Sequence, residues 1–348
     1  MDLNFKFYNQ HNIESLSSDV HHFIRTLDIY YQPEFLQCDA KHQNGHYEIA
    51  VTKYGEQIWV YPYLVIPIPN TNWFDLASPY GYAGPVSNSP ELFKLSELEF
   101  LDRIKSRSNI ITEFVRYHYQ YNAHSKFEHE INNQLNREIF LLPTKNHEEV
   151  WTKHFSGTNR NIYRKMQSEQ FEFTIDAFRQ EDIHDFQEAY HKTMNHLNAS
   201  NFYYFSNSYF EDIQRSLKEN LLIARVKFKD VVYATALFFK SNKTLTYFLS
   251  ARNLDFPKVA ATNFLLSNAA FWAEKNNFNH LNFGGGMSMD PKDSLLKFKS
   301  QFTTEKRPFF IGKRIHQQNL YEELVALYKA QFGSNEFDKV KHILQFYR

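Results

Sequence analysis

The chain has one cysteine in 348 residues, Cys38, which excludes an internal disulfide and any zinc site built on several thiolates. A buried thiol is its default state. The histidines are scattered without a His-Glu-x-x-His spacing. His191 and His196, five apart on one predicted helix, point in different directions, so no metal is expected. Charge of one sign is missing too: 39 Lys and Arg balance 39 Asp and Glu. That balance argues against a protein that coats nucleic acid, and no DNA partner is expected. Long hydrophobic runs are absent. The longest, residues 58–69, is broken by Pro62, Pro67 and Pro69 and falls short of the about 20 apolar residues that span a bilayer. The first residues show no basic start leading into an apolar core, so a cytoplasmic location is expected.

Aromatics, by contrast, are abundant, with 34 Phe and 22 Tyr, which favours binding surfaces that work by stacking. At 43% hydrophobic and 22% charged, the chain is long enough for two domains, each with its own core.

Glycine is scarce, yet three of the ten glycines stand together at Gly284, Gly285 and Gly286. Leu281 and Phe283 lead into them as a strand, and Leu295, Leu296, Phe298 and Phe302 follow at helical spacing. Such a triplet marks either a sharp strand-to-helix turn or a backbone that another molecule approaches closely. The following stretch carries Lys292, Lys297, Lys299, Lys306, Arg307, Lys313 and Arg314 against Asp293 and Glu305. Exposed amides beside local positive charge read as an anion site.

In the first half, residues 5–8 predict a strand, and Ile13, Leu16, Val20, Phe23, Ile24 and Leu27 share one helical face. Residues 47–51 and 58–68 alternate about Tyr54-Gly55 as a hairpin. The loop Ser78-Pro-Tyr-Gly-Tyr-Ala-Gly-Pro85 is either a rigid connection or a cleft wall in which Tyr80 and Tyr82 face a ligand. A helix over 91–106 and a strand over 110–117 follow, and Arg116 on that strand is either paired internally or reaches a ligand. Residues 148–170 read as helix interrupted near Ser156-Gly157, with Arg160 and Arg164 on one side and Lys165 beside them.

From residue 171 the expected order is a strand, two helices, and a three-strand meander over 221–228, 231–239 and 244–250. A helix over 260–275, a strand over 281–283, a helix over 294–302 and a strand over 309–315 complete it. That is the plan of an acyl-CoA N-acyltransferase domain of the GNAT type, and the first half follows a blurred version of it. The expected fold is therefore α/β (α+β): two GNAT-like domains in tandem, each a mixed, mostly antiparallel sheet flanked by helices. Residues 1–144 form the first, completed by apolar C-terminal helices over 316–348, and 145–315 form the second.

Several segments carry a more specific likeness. They are residues 78–85, Phe114-Val-Arg-Tyr-His118, Asn159-Arg-Asn-Ile-Tyr-Arg-Lys165, Tyr190-His-Lys-Thr-Met194 with Phe202-Tyr-Tyr204, and Phe283-Gly-Gly-Gly286 with Leu296-Lys-Phe-Lys299. In these the chain resembles the Fem family of non-ribosomal aminoacyl and peptidyl transferases and the related GNAT-like proteins of bacterial cell-envelope and polysaccharide clusters. The resemblance implies a transferase that forms an amide on a sugar-nucleotide or lipid-linked glycan precursor, as in peptidoglycan or polysaccharide synthesis. It implies an aminoacyl-tRNA or an acyl-CoA as donor, no tightly bound cofactor, and a peripheral membrane contact if the acceptor is lipid-linked. It puts Lys299 at the reaction centre and Tyr203, Tyr204 and Tyr247 near the acceptor. Two departures stand out: residues 196–201 hold no arginine, and no helical-hairpin insertion of the tRNA-binding type is visible.

Lys299 in that role would stabilise the oxyanion of acyl transfer, aided by the Gly284 to Gly286 amides. Spacing alone leaves it equally a solvated lysine on an amphipathic helix. Asp290, Glu274 and the histidines remain undistinguished as the base. The junction over 251–261 has no glycine to admit a pyrophosphate, although Arg252 and Lys258 offer side-chain cations there. Two other readings stay open, a CoA-dependent N-acyltransferase of an amino sugar and a non-catalytic scaffold of a glycan-assembly complex.

Overall fold

The computed structural model describes residues 4–256 and 259–348, so Lys258 lies outside the described residues. In chain order the strands are β1 (Asn4–Tyr8), β2 (His46–Tyr54), β3 (Gln57–Pro67), β4 (Phe74–Ala77), β5 (Val86–Ser87), β6 (Ile110–Arg116) and β7 (Asn132–Pro143). Then come β8 (Glu172–Ala177), β9 (Leu221–Phe228), β10 (Val231–Ser241), β11 (Thr244–Arg252), β12 (His280–Gly285) and β13 (Lys306–Ile315). The helices are α1 (Ser18–Thr26), α2 (Pro33–His42), α3 (Pro90–Lys105), α4 (His147–Glu149), α5 (Gly157–Ser168) and α6 (Ile183–His196). They continue with α7 (Asn207–Leu217), α8 (Ala261–Lys275), α9 (Ser294–Lys299), α10 (Gln318–Phe332) and α11 (Ser334–Val340). No helix among the described residues is long and apolar enough to cross a membrane.

The chain divides into two compact units, Met1–Asn136 with Phe309–Arg348, and Arg137–Pro308. The divisions fall inside β7 and β13.

In the first unit the strands lie in the order β1-β2-β3-β4-β6-β13. All neighbours are antiparallel except β4 and β6. Its core is aromatic: Trp59, Tyr61, Tyr63, Phe100 and Phe127 are buried on one another. The C-terminal segment belongs to this unit. Leu324 packs on Ile68 and Ile111, and Arg348 pairs with Asp75.

The second unit runs β7-β12-β11-β10-β9-β8, again antiparallel except for one pair, β11 and β12. Its tight turns use residues that tolerate a left-handed backbone. Lys229 and Asp230 both have positive φ between β9 and β10, and Asn242 does between β10 and β11. One face of this sheet buries Leu222, Ala224, Ala234, Ala236, Phe238, Leu245, Leu281 and Phe283 with the apolar side of α8. By the two-residue period of a strand, Ile223, Thr235, Thr246 and Asn282 project from the other face.

Each sheet thus has the mixed, mostly antiparallel, helix-flanked form expected, and from β8 to β13 the order of elements is the expected one. In the first half the structure differs. The helix expected from Ile13 starts only at Ser18, and α2, β4 and β5 are additional elements.

Candidate active site

The two parallel strand pairs, one in each unit, end differently. In the first unit β4 stops at Ala77, and the loop after it stays bonded to the β6 strand. Ser78 N donates to Phe114 O at 2.9 Å, Arg116 N to Ser78 Oγ at 2.9 Å, and Ala83 N to Arg116 O at 2.6 Å. The loop seals the sheet there. In the second unit β11 and β12 pair only from Thr244–His280 to Thr246–Asn282. Beyond that rung β11 continues on β10 alone and β12 on β7 alone. Two parallel strands part, and their facing edges lose each other as partners.

Unmet hydrogen-bonding groups gather at this fork. Asn282 is wholly buried, and its Oδ1 accepts from Gly284 N at 2.8 Å while its Nδ2 has no partner. Thr246, its register partner, is also buried, and its hydroxyl is unpartnered too. A buried donor and a buried acceptor left open side by side are costly unless a ligand or water fills them.

Lys299 closes the end of β12. It sits in the last turn of α9, only 7% exposed, and its Nζ donates to Gly285 O at 2.7 Å. Burial, and then the nearby Arg137 guanidinium, lower its pKa from 10.5 to about 7, with Asp293 opposing them. At neutral pH the amine is therefore divided between its charged and neutral forms.

The three glycines have separate reasons. Gly284 has φ +70°, and a Cβ there would lie 3.4 Å from Lys299 Nζ. A Cβ on Gly285 would strike Arg137 and Glu138, and one on Gly286 would strike the Asp293 carboxylate at 2.7 Å. Arg137 donates to Gly286 O at 2.8 Å. The run therefore turns carbonyls toward two cations.

The anion expected beside this turn is part of the protein. Asp293 caps α9, accepting from Leu295 N at 2.8 Å and Leu296 N at 3.3 Å, and it also accepts from Ser288 N at 2.8 Å. Burial works to raise its pKa, but these amides and that of Met287 together hold it below the usual carboxylate value.

The cationic stretch expected to flank the triplet is dispersed, which corrects the reading of one basic region. Arg314 is buried against Glu113 and Glu97, Lys313 donates to His342 O, and Lys306 and Arg307 pair with Glu138 and Glu305. A run of like charge in sequence was divided among a strand, a helix end and a buried ion pair. The other basic cluster is dispersed likewise: Arg160 donates to Trp151 O, Arg164 lies over the Trp151 ring, and Lys165 approaches Glu169.

The remaining expected site residues fall in several places. Tyr80, Tyr82 and Arg116 belong to the first unit. Tyr82 is buried among Tyr30, His118, Tyr119 and Phe309, and Arg116 donates to Ser78 O and lies over Phe114. The Tyr80 amide donates to Asp39, whose carboxyl burial pushes up to about 6. In the second unit Tyr203 is exposed on a 3-10 turn, and Tyr204 Oη donates to Asn195 Oδ1 at 2.7 Å. Tyr247 packs on Phe238 beside the fork, its hydroxyl bonded to Ser250 and, by burial, pushed up to about 12. Arg252 lines a cavity under α6. Cys38 is buried, and no metal-binding group of side chains occurs among the described residues.

Sequence reading missed Thr246, Asn282 and Arg137. A signal was present for Asn282, a polar residue between Leu281 and Phe283 in a strand otherwise apolar.

Residues 154–299 match the family model of the acetyltransferase (GNAT) domain, an acyltransferase domain that covers the fork, α9 and Lys299. No curated protein sequence matches the chain. Among solved structures, FemX is similar with a TM-score of 0.70 at 12% identity, over 91% of this chain and 99% of that one. The C-terminal domain of a putative lysylphosphatidylglycerol synthetase from Agrobacterium fabrum has a TM-score of 0.57 at 13% identity, over 89% and 95%. A tandem GNAT protein from the clavulanic acid biosynthesis pathway has a TM-score of 0.50 at 6% identity, over 90% and 99%. The chain has a Fem-like, tandem GNAT-type fold.

Proposed function

We propose that this GNAT-type acyltransferase forms an amide, moving an aminoacyl or acyl group onto an amine of a cell-envelope glycan or sugar-nucleotide precursor. The observation that carries the reading is a lysine held near pKa 7 at a parted strand pair whose buried polar groups lack partners.

Lys299 is the catalytic residue of this scheme. Its neutral amine takes the proton of the acceptor's ammonium, and the amine attacks the donor carbonyl. A C–N bond forms as the carbonyl π pair moves to oxygen, and the Lys299 ammonium stabilises that oxyanion. When the carbonyl reforms, the C–O or C–S bond to the donor breaks, Lys299 returns the proton to the leaving group, and the new amide nitrogen releases its second proton to water. Asn282 and Thr246 orient the donor, and Tyr247 borders it. Gly284, Gly285 and Gly286 shape the turn that keeps Lys299 in place.

The acceptor class rests on likeness of fold to FemX and to a putative lysylphosphatidylglycerol synthetase, at 12% and 13% identity. Tyr203 and Tyr204, in the second unit, are the aromatic groups we assign to it. A cytoplasmic location and a lipid-linked or soluble glycan acceptor belong to the same reading.

One observation favours the CoA-dependent alternative. The cap of α8, Ala260, offers no side-chain acceptor to the helix's first amides, whereas α5, α7 and α9 are capped by Ser156, Ser206 and Asp293. The start of a helix of 15 residues that has no side-chain cap suits the phosphates of a CoA donor. Binding by calorimetry against acyl-CoA, aminoacyl-tRNA and UDP-amino sugars decides between donors. Binding of none of these would refute both readings and favour the non-catalytic scaffold.

A further inference from the structure

The cavity under α6 has about 250 Å³ of space and shares no residue with the fork. Its walls are one side of α6, the sheet face formed by β9 and β10, and the end of β11. Phe186 and Ile223 make an apolar floor. Thr235 lies with them, 6% exposed, and its hydroxyl has no partner. Filling such a space with apolar side chains would have been the stable solution. A lone hydroxyl in the floor is what a polar ligand uses.

The charges around this floor are ordered along α6. At the start of the helix stand Asp182 and Asp185, with Asp182 paired to Arg225. Towards its end Lys192 is shared between Glu188 at 2.9 Å and Asp255 at 3.7 Å. Beyond it stands Arg252, whose backbone is pinned to the Thr193 hydroxyl. None of the ion pairs described involves the Arg252 side chain. Eight residues of helix, from Asp185 to Thr193, span roughly 12 Å. At one end of the cavity Asp185 therefore stands beside the Asp182–Arg225 pair, and at the other Arg252, outside every ion pair of the described residues, stands beyond the Lys192, Glu188 and Asp255 cluster.

We infer that this cavity binds an extended zwitterion, an amino-acid-sized molecule with an ammonium at one end and a carboxylate several carbons away. The carboxylate meets Arg252, the ammonium meets the carboxylates at the start of α6, the Thr235 hydroxyl bonds a polar group of the ligand, and the methylenes cover the apolar floor. This goes beyond the transferase reading and does not depend on it, because binding here involves neither Lys299 nor a donor.

Calorimetry on the full chain tests it, with lysine and 5-aminopentanoate as probes and pentanoate and pentylamine as half-probes. The zwitterions should bind at least about 10-fold more tightly than either half. Thr235→Val should weaken them by about 10-fold, and Arg252→Gln should weaken the zwitterions and pentanoate but not pentylamine. Circular dichroism and the melting temperature confirm that the variants fold. Lys299→Met should bind as the wild type does. Absence of binding by every probe, equal binding of pentylamine and the zwitterions, an unaffected Thr235→Val or Arg252→Gln variant, or loss of binding in Lys299→Met would each overturn the assignment. Failure here leaves the transferase reading standing, since that is tested by donors and by turnover.

Discussion

The Lys299 amine lies 2.7 Å from the carbonyl oxygen of Gly285, so the glycine run meets this side chain as an acceptor and not as an array of amides. The bond holds the nitrogen at the end of β12 whether or not it is charged, since both forms can donate. A lysine fixed in this way is positioned without being neutralised.

Lys299→Met should keep the fold and lower turnover by about 10²-fold or more, with the loss in kcat. The wild-type rate should rise with pH through about 7, and the variant should lack that limb. Stability gives a second readout. With a native pKa of about 7 against 10.5, the cost of burying the charge is full below pH 7 and disappears above 10.5. The Met variant should thus gain most on the wild type in acid, and the difference should shrink as pH rises from 7. Chemical denaturation across that range checks the sign.

Gly284→Ala places a side chain at φ +70° with its Cβ against Lys299 Nζ. The backbone strain should cost about 1–2 kcal/mol. Gly333→Ala, at φ +89° with open space around it, is the control. Both variants should lose stability comparably, and only Gly284→Ala should also lose turnover.

Deleting Arg348 should destabilise the first unit by about 3–5 kcal/mol, because Asp75 is wholly buried and would lose its counter-charge. Burial raises the pKa of Asp75, with Arg348 opposing it. A carboxyl raised in the native state stabilises least once pH exceeds that value, so the deficit should be larger at pH 8 than at pH 5. Urea midpoints at the two values measure it. Asp75→Asn in the shortened chain should recover part of the loss.

Glu113 accepts from Arg314 at 2.7 Å, His316 at 3.0 Å and Tyr61 at 2.6 Å. Burial works against its charge, yet Arg314 and His316 hold the carboxyl down at about 2. The stability this contributes is complete above pH 4.5 and is lost as pH falls toward 2. Arg314→Met should cost about 3–5 kcal/mol at pH 7 and much less near pH 2. Acid titration of both proteins by circular dichroism compares them.

The second unit was the more legible half because its elements are set by local pattern. β9 covers the residues expected, and the meander turns fall at Lys229-Asp230 and Asn242, where the backbone is left-handed. In the first half α2 escaped notice because it is short and its buried side, Phe35, Leu36, Cys38, Asp39 and Ala40, includes a carboxylate and small residues that blur the apolar period set against Glu34, Gln37 and Lys41. Pro33 at its first position was the remaining signal. Lys299 and the glycines were visible because they are neighbours in sequence. Arg137 reaches Gly286 from 149 residues away, and Thr246 meets Asn282 only through strand register. Local pattern cannot report such meetings.

The first unit is made of two segments that flank the second unit in sequence, with Arg348 of the later segment bound to Asp75 of the earlier one. Synthesis therefore interrupts this unit with the whole of the second. About 170 residues separate its two segments, roughly 10–35 s at ordinary elongation rates. Until β13 is made β6 lacks this partner, and the sequence of the second unit is synthesised in between. The nascent chain thus passes through a stage in which β6 is an open sheet edge, exposed to chaperones and to pairing with other chains.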